Sequence, residues 1–251
     1  MKHRPFLYKL TVALLSCTLC CANMTVPAVS ADDADNLPAR FDWREEAPEI
    51  LTPVKKQIGN TCWAYSTLSY IESNLIRKGL ADNSIDLSET NFVWFTNGQG
   101  SPTNPDDTRY GGGFEYGVSG YNKGAYVTVI LATLAAWHGV AYESDFPALS
   151  DKIVLDESLR YQSVAHMQNA RYFIYAYGID FIKQQLTEKG PLALDYCNDH
   201  DHPISNKGGY YNPDFESVTK ANGSPHGVVL VGWDDQYAKE NFTKEPPGDG
   251  A

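Results

Sequence analysis

The hydrophobic period of this chain changes at Gly190-Pro191, and that change limits the folds open to it. Ahead of it, Ala64, Leu68, Ile71 and Leu75 recur at spacings of four, three and four, the apolar stripe of an amphipathic helix. Asn60 or Thr61 can cap this helix close to Cys62, and Gly79 can end it. Ser88-Glu89 after Leu87 predicts another helix start. Further helices are expected from about Ala125 to His138 and from Ile179 to Glu188, the last stopped by Gly190-Pro191. Behind that point, Leu192-Ala193-Leu194 and Val228 to Val231 are short apolar runs bounded by turn residues, which read as buried strands. A helical front and a sheet-like back predict an α+β fold of two lobes. Phe41, Trp43 and Leu51 are expected anchors in the mixed stretch before them. Thr96 to Asp107 reads as loop, closed by Gly111-Gly112-Gly113.

The chain has 251 residues, 43% hydrophobic and 20% charged, which suits a single unit with a full core. Its first 31 residues stand apart. Lys2, Arg4 and Lys9 make a basic front, an apolar run follows from Leu10 to about Cys21, and Val29-Ser30-Ala31 is a small-residue cleavage signature. This reads as a secretory signal peptide cleaved after Ala31. The run is too short to span a bilayer comfortably. Leu14-Leu15-Ser16-Cys17 also loosely fits a lipoprotein signal, which would put a lipid anchor on Cys17. Residues 32–36 then form a short acidic tail, and 37–251 a single domain.

Losing three positive charges takes the net charge from −11 to −14. So acidic a product is a poor ligand for nucleic acid or an anionic membrane. A monomer without cofactor or metal is expected. Asp199-His200-Asp201-His202 alternates ligand types, but it reads as a solvated loop rather than a metal site. Of five cysteines, Cys17, Cys20 and Cys21 leave with the signal. Cys62 and Cys197 remain, either as one bridge or as two free thiols.

The chemistry is expected at the seam between the lobes. Cys62 lies at a predicted helix N-terminus, where unpaired backbone N–H groups and the helix dipole favour an anion. The thiolate is the reactive form of cysteine. His226 opens the apolar run Gly227 to Trp233, so it sits on a strand and can hold the proton. Gln57, five residues before Cys62, can offer its amide to a developing oxyanion beside the backbone N–H of Cys62.

Several segments resemble papain-like cysteine peptidases. Pro38-Ala39-Arg40-Phe41-Asp42-Trp43-Arg44 and Thr52-Pro53-Val54-Lys55-Lys56-Gln57 resemble their mature start. Thr61-Cys62-Trp63-Ala64-Tyr65-Ser66 resembles the nucleophile segment, Asp86-Leu87-Ser88-Glu89 the start of the next helix, and Pro225 to Asp235 the histidine strand. The match is colinear from about Leu37 to Asp235. Its texture, through Leu134 to Gly139 and Glu143 to Pro147, is most similar to bacterial secreted and surface members. The resemblance implies a helical N-terminal lobe, a C-terminal antiparallel sheet or barrel lobe, and a cleft between them. It implies Cys62 as nucleophile, His226 as base and then acid, and Gln57 as oxyanion donor. On the substrate-binding side it implies Trp63, packed behind the nucleophile, and Gly112 and Gly113, whose backbone would pair with an extended peptide. Peptides or proteins would be hydrolysed through an acyl-enzyme at the cell surface or outside it. A surface binding protein on a degenerate scaffold, or a cell-wall amidase, are the alternatives.

Four features depart from that pattern. No Asn-Ser-Trp-Gly motif, which carries the Asn that orients the His, occurs in the chain. Gly248 to Ala251 reads as its lead-in, so the sequence is expected to be truncated, with terminal strands missing and an open sheet edge. Gln57 is one residue closer to Cys62 than in plant and animal members. No inhibitory propeptide of the usual size precedes the domain. Cys62 and His226 are 164 residues apart, against roughly 130–150 for the group, which points to insertions in 96–107 and 199–221.

Overall fold

A computed structural model describes residues 37–96, 124–150, 155–173, 178–199, 204–212 and 223–250. Of the expected loop Thr96 to Asp107 only Thr96 is described, and it closes a helix; the rest of that loop, the glycines 111–113, the leader 1–31 and the tail 32–36 lie outside the described residues.

The chain enters as strand β1 (Arg40–Asp42), followed by the short helix α1 (Trp43–Glu46). β1 pairs antiparallel with the late strand β4 (Gly232–Asp234), Phe41 opposite Trp233. The expected anchors explain this closure. Phe41 stacks on Trp233 with centroids 5.1 Å apart and meets Trp43 edge-on at 5.0 Å. Trp43 Nε1 donates to the Leu186 carbonyl at 3.1 Å, and Trp233 Nε1 to that of Pro38 at 3.0 Å. Half-buried indoles can use such acceptors to pin the ends of the chain together.

Helix α2 (Cys62–Arg77) starts at the predicted residue. Thr61 is the cap position, but its hydroxyl donates back to the Ile58 carbonyl at 2.6 Å instead of capping the helix. The helix ends in a Schellman motif: Leu80 N–H bonds to Leu75 O at 2.9 Å and Gly79 N–H to Ile76 O at 2.8 Å. Gly79 makes this possible with φ +67°. All four residues of the predicted stripe join one core with Trp63, Leu87 and Phe92. Helix α3 (Glu89–Thr96) starts after Ser88, whose Oγ accepts from Asn91 N–H at 3.2 Å. Helices α4 (Val127–Ala135) and α5 (Ile179–Lys189) complete the helical part. The expected span 125–138 is trimmed at both ends. Its end is marked by Trp137 at φ +69°, which breaks the helix before His138.

The sheet part is a long antiparallel pair, β2 (Leu192–Asp199) and β3 (Gly223–Leu230). Both strands extend well past the apolar runs that announced them, because pairing rather than hydrophobicity holds their polar ends. The described residues show helices with two two-stranded antiparallel sheets and no closed barrel.

One buried group makes the helical core sensitive to acid. His138 is 3% exposed, between the rings of Phe92 and Phe95, and neither ring nitrogen has a hydrogen-bond partner. Burial, and then the charge of Arg160, hold its imidazole down at about 4. Its stabilising contribution is full above its ordinary value of 6.5 and is lost as pH falls through about 4. Glu143 acts in the opposite sense. Burial, and further the charges of Glu89 and Asp86, push its carboxyl up to about 7, so its contribution fades as pH rises through that value. The variant His138→Phe removes only the first effect. Its melting temperature should fall less than the parent's between pH 6.5 and pH 4, and equal falls would assign acid sensitivity to other groups.

Candidate active site

Cys62 is the first residue of α2 and is partly exposed. Strand β3 crosses that end of the helix. The two are in close contact at Gly227, where an ideal Cβ would lie 3.2 Å from both the carbonyl carbon and oxygen of Cys62 and 2.8 Å from Ser66 Oγ. A side chain at this position would crowd Ser66 Oγ and the Cys62 carbonyl, so glycine eases the close approach. His226 is the preceding residue, so the strand carries it to the head of α2.

Two tyrosines, which the sequence did not single out, complete the surroundings. Tyr196 is paired with His226 in the β2–β3 register, and the two rings meet edge-on with centroids 5.6 Å apart. Burial raises the Tyr196 hydroxyl above its ordinary value, as do the charges of Tyr210 and Cys62. Tyr196 therefore touches the histidine and lies within electrostatic reach of the cysteine. Tyr210 packs edge-on against Tyr196 at 5.4 Å, and its hydroxyl donates to the Cys197 carbonyl at 2.7 Å. Only the strand register could have identified Tyr196, since its spacing from His226 in sequence carries no signal.

The other expected residues divide. Trp63 is 3% exposed, with its ring 5.7 Å from that of Phe92. It follows Cys62 in the chain, and its ring is enclosed in the core cluster rather than lining an open surface. Gln57 is exposed, and its Nε2 donates to the Gly59 carbonyl at 2.7 Å. The amide is thus turned into its own loop, which Gly59 folds back with φ +66°. Gly112 and Gly113 lie outside the described residues. Cys62 and Cys197 are both free thiols, which settles the choice between a bridge and two thiols. Among the described residues no group of three or more His, Cys, Asp or Glu side chains could hold a metal ion. Of the tract 199–202 only Asp199 is described; it accepts from Asn212 Nδ2 at 3.1 Å, and its N–H donates to Tyr210 at 3.0 Å.

The loop that carries Gln57 is held from beneath. Lys55 Nζ contacts Asp86 at 2.5 Å, Glu89 at 2.9 Å and Glu72 at 3.1 Å. Burial opposes the charge on Lys55, yet the hydrogen bond to Asp86 and the charges of Glu72 and Glu89 more than offset it, and its pKa is raised. Glu72, with no exposed surface, also accepts from Thr52 Oγ1 at 2.5 Å and Leu87 N–H at 2.9 Å. Lys55 was legible only as part of a family-like run, and its partners come from three separate segments.

Residues 37–244 match the family model described as papain family cysteine protease. Cathepsin 7 of Rattus norvegicus is 27% identical over 204 residues, covering 78% of this chain and 51% of that protein. Cysteine endopeptidase RepA of Oryza sativa subsp. japonica is 24% identical over 232 residues, covering 86% of this chain and 54% of that protein. The chain spans about half the length of the curated relatives it matches. A solved structure of digestive procathepsin L2 proteinase from Tenebrio molitor larval midgut superposes with a TM-score of 0.52 at 24% identity, over 78% of this chain and 54% of that one. At that identity the likeness shows the fold, which is papain-like.

Proposed function

Because this chain belongs to the papain family of cysteine proteases, we propose that it is a cysteine peptidase with Cys62 as nucleophile and His226 as general base and acid. The observation that carries this reading is the backbone of Gly227 lying against Cys62, with His226 next in the strand. In the cycle proposed, the Cys62 thiolate attacks the peptide carbonyl carbon. The tetrahedral intermediate collapses to a thioester as the His226 imidazolium gives its proton to the leaving amine. Water then attacks the thioester, His226 takes the water's proton, and the acid product leaves as Cys62 regains its thiolate. The oxyanion is received by the backbone N–H of Cys62 and by Gln57, once its amide turns away from Gly59. Trp63 supports the nucleophile, and Gly112 and Gly113 pair with the peptide backbone.

The same reading makes the protein an exported monomer that acts on peptides or proteins, with residues 1–31 as its signal. No described helix is long and apolar enough to cross a membrane.

Alkylation by iodoacetamide, followed by mass spectrometry, tests the proposal with Cys197 as internal control. An ordinary thiol titrates near ~8.5 and is almost wholly protonated at pH 5, whereas a thiolate paired with histidine persists there. Cys62 should react at pH 5 at least ~100-fold faster than Cys197, and His226→Ala should abolish the difference. Equal rates at the two cysteines would sink the peptidase reading and favour a binding protein on this scaffold. The same spectra read the N-terminus, and a chain beginning anywhere but Asp32 would refute cleavage after Ala31.

A further inference from the structure

The β2–β3 register places one further titratable group across the strand pair from Gly227. Asp195 stands directly opposite Gly227, the residue whose backbone touches Cys62. Directly opposed residues of an antiparallel pair share a sheet face. Asp195 therefore projects on the side of the sheet that meets the head of α2, in the strand next to His226.

Resting on the peptidase reading above, we propose that Asp195 is a specificity residue that receives a positively charged side chain of the substrate, so that the enzyme prefers peptides with arginine or lysine beside the bond it cleaves. Three observations support it. Asp195 is solvent-exposed, and among the described residues no lysine or arginine pairs with it, so it is free to meet an incoming cation. Its surroundings are nonetheless restrictive: burial by neighbouring protein raises its carboxyl above the ordinary range, and the His226 charge pulls it back only in part. Protein on one side of this exposed carboxylate lowers the local dielectric below that of water, which strengthens its attraction for an incoming cation. Finally, the whole chain carries a formal charge of −11, a field that draws cationic peptides toward it.

The rival role is local. Asp195 could serve only to hold the His226 imidazolium in place, which would make it a positioning residue with no say over substrate. The two roles separate in one experiment. Peptidyl chloromethyl ketones of matched length are offered to the full chain, with arginine, norleucine or glutamate at each of the two positions nearest the electrophile. The rate at which each modifies Cys62 is read by mass spectrometry. The arginyl reagent should outrun the norleucyl one by at least ~10-fold at one position at low salt, and the ratio should shrink as salt is raised. Asp195→Asn should bring the ratio to about one. Asp195→Lys should invert it in favour of glutamate. Asp82→Asn, which removes the same charge from an exposed loop, should keep the arginine preference.

A parent enzyme with no arginine preference, or a preference that survives Asp195→Asn, overturns the proposal. So does an Asp195→Asn enzyme that keeps its preference while its pH profile moves, since that is the signature of the positioning role. If Cys62 resists iodoacetamide as well as every peptidyl reagent, the peptidase reading fails and this proposal fails with it. Circular dichroism of each variant, with Asp195→Ser as a second neutral replacement, separates lost recognition from lost folding.

Discussion

Gly227→Val is expected to lower kcat/KM on peptide substrates by ~100-fold or more. A Cβ at position 227 would begin 2.8 Å from Ser66 Oγ and 3.2 Å from the Cys62 carbonyl. The branched side chain of valine adds further atoms to a Cβ already in tight contact with α2. Overpacking of this kind costs about 1–3 kcal/mol, and the strand can relieve it only by moving off the helix. That movement carries His226 with it, and a displacement of about 1 Å in reacting groups is enough to cost ~100-fold in rate. Gly227→Ala should show a smaller loss in the same direction. Part of that loss should return in the double variant with Ser66→Ala, because the nearest obstacle is the Ser66 hydroxyl. That hydroxyl donates only to the Trp63 carbonyl of its own helix, at 3.3 Å, so its removal costs little by itself. Steady-state kinetics with the pH 5 alkylation rate of Cys62 decides the matter. If Gly227→Val stays within about twofold of the parent in both, the close approach of β3 to α2 is not what assembles the site, since ~100-fold is expected.

Glu72→Ala should lower the melting temperature by ~10 °C. The Glu72 carboxylate is fully buried and receives three donors, from Lys55, Thr52 and Leu87. Removing it leaves the Leu87 N–H and part of the Lys55 charge without a buried partner. Breaking a buried pair from one side costs about 3–5 kcal/mol. Lys55 keeps Asp86 and Glu89, which places the loss near the lower end. For a chain of this size each kcal/mol moves the melting temperature by about 2–4 °C. Lys55→Met should be comparably damaging, since it strands Glu72 and the nearly buried Glu89 together. Either variant also frees the segment two residues before Gln57, so turnover should fall more than Cys62 alkylation. A shift of less than about 2 °C for both variants would show that the cluster is balanced by hydration rather than by its internal pairs.

Much of this arrangement was legible in the residues, and the reason is that local chemistry decided it. Ala64, Leu68, Ile71 and Leu75 announced α2 because a helical period needs no partner to be visible. Gly79 and Ser88 marked a helix end and a helix start because caps are local devices. Phe41 and Trp43 stood out as anchors by size alone. The candidate nucleophile was recognisable because its place at a helix start is itself a statement about charge. The resemblance to papain-like peptidases rested on short colinear runs of the same local kind, and the family match covers residues 37–244.

Other features belong to the tertiary structure alone, because they join segments far apart in the chain. Tyr196 and Asp195 mean nothing until the register sets them opposite His226 and Gly227. The free state of Cys62 and Cys197 is a matter of where β2 lies, since their presence in the sequence suits a bridge as well as two thiols. The turn of the Gln57 amide into its own loop follows from the conformation of Gly59, which composition does not reveal. Lys55 finds its carboxylates on α2, on α3 and in the loop between them, so its burial as a charge could not be read from its neighbours in sequence. The chain by itself therefore determined which helices form and which side chains carry reactive groups. Which of those groups meet was left to packing, because contact across a fold depends on register and distance, and neither is written in a local pattern.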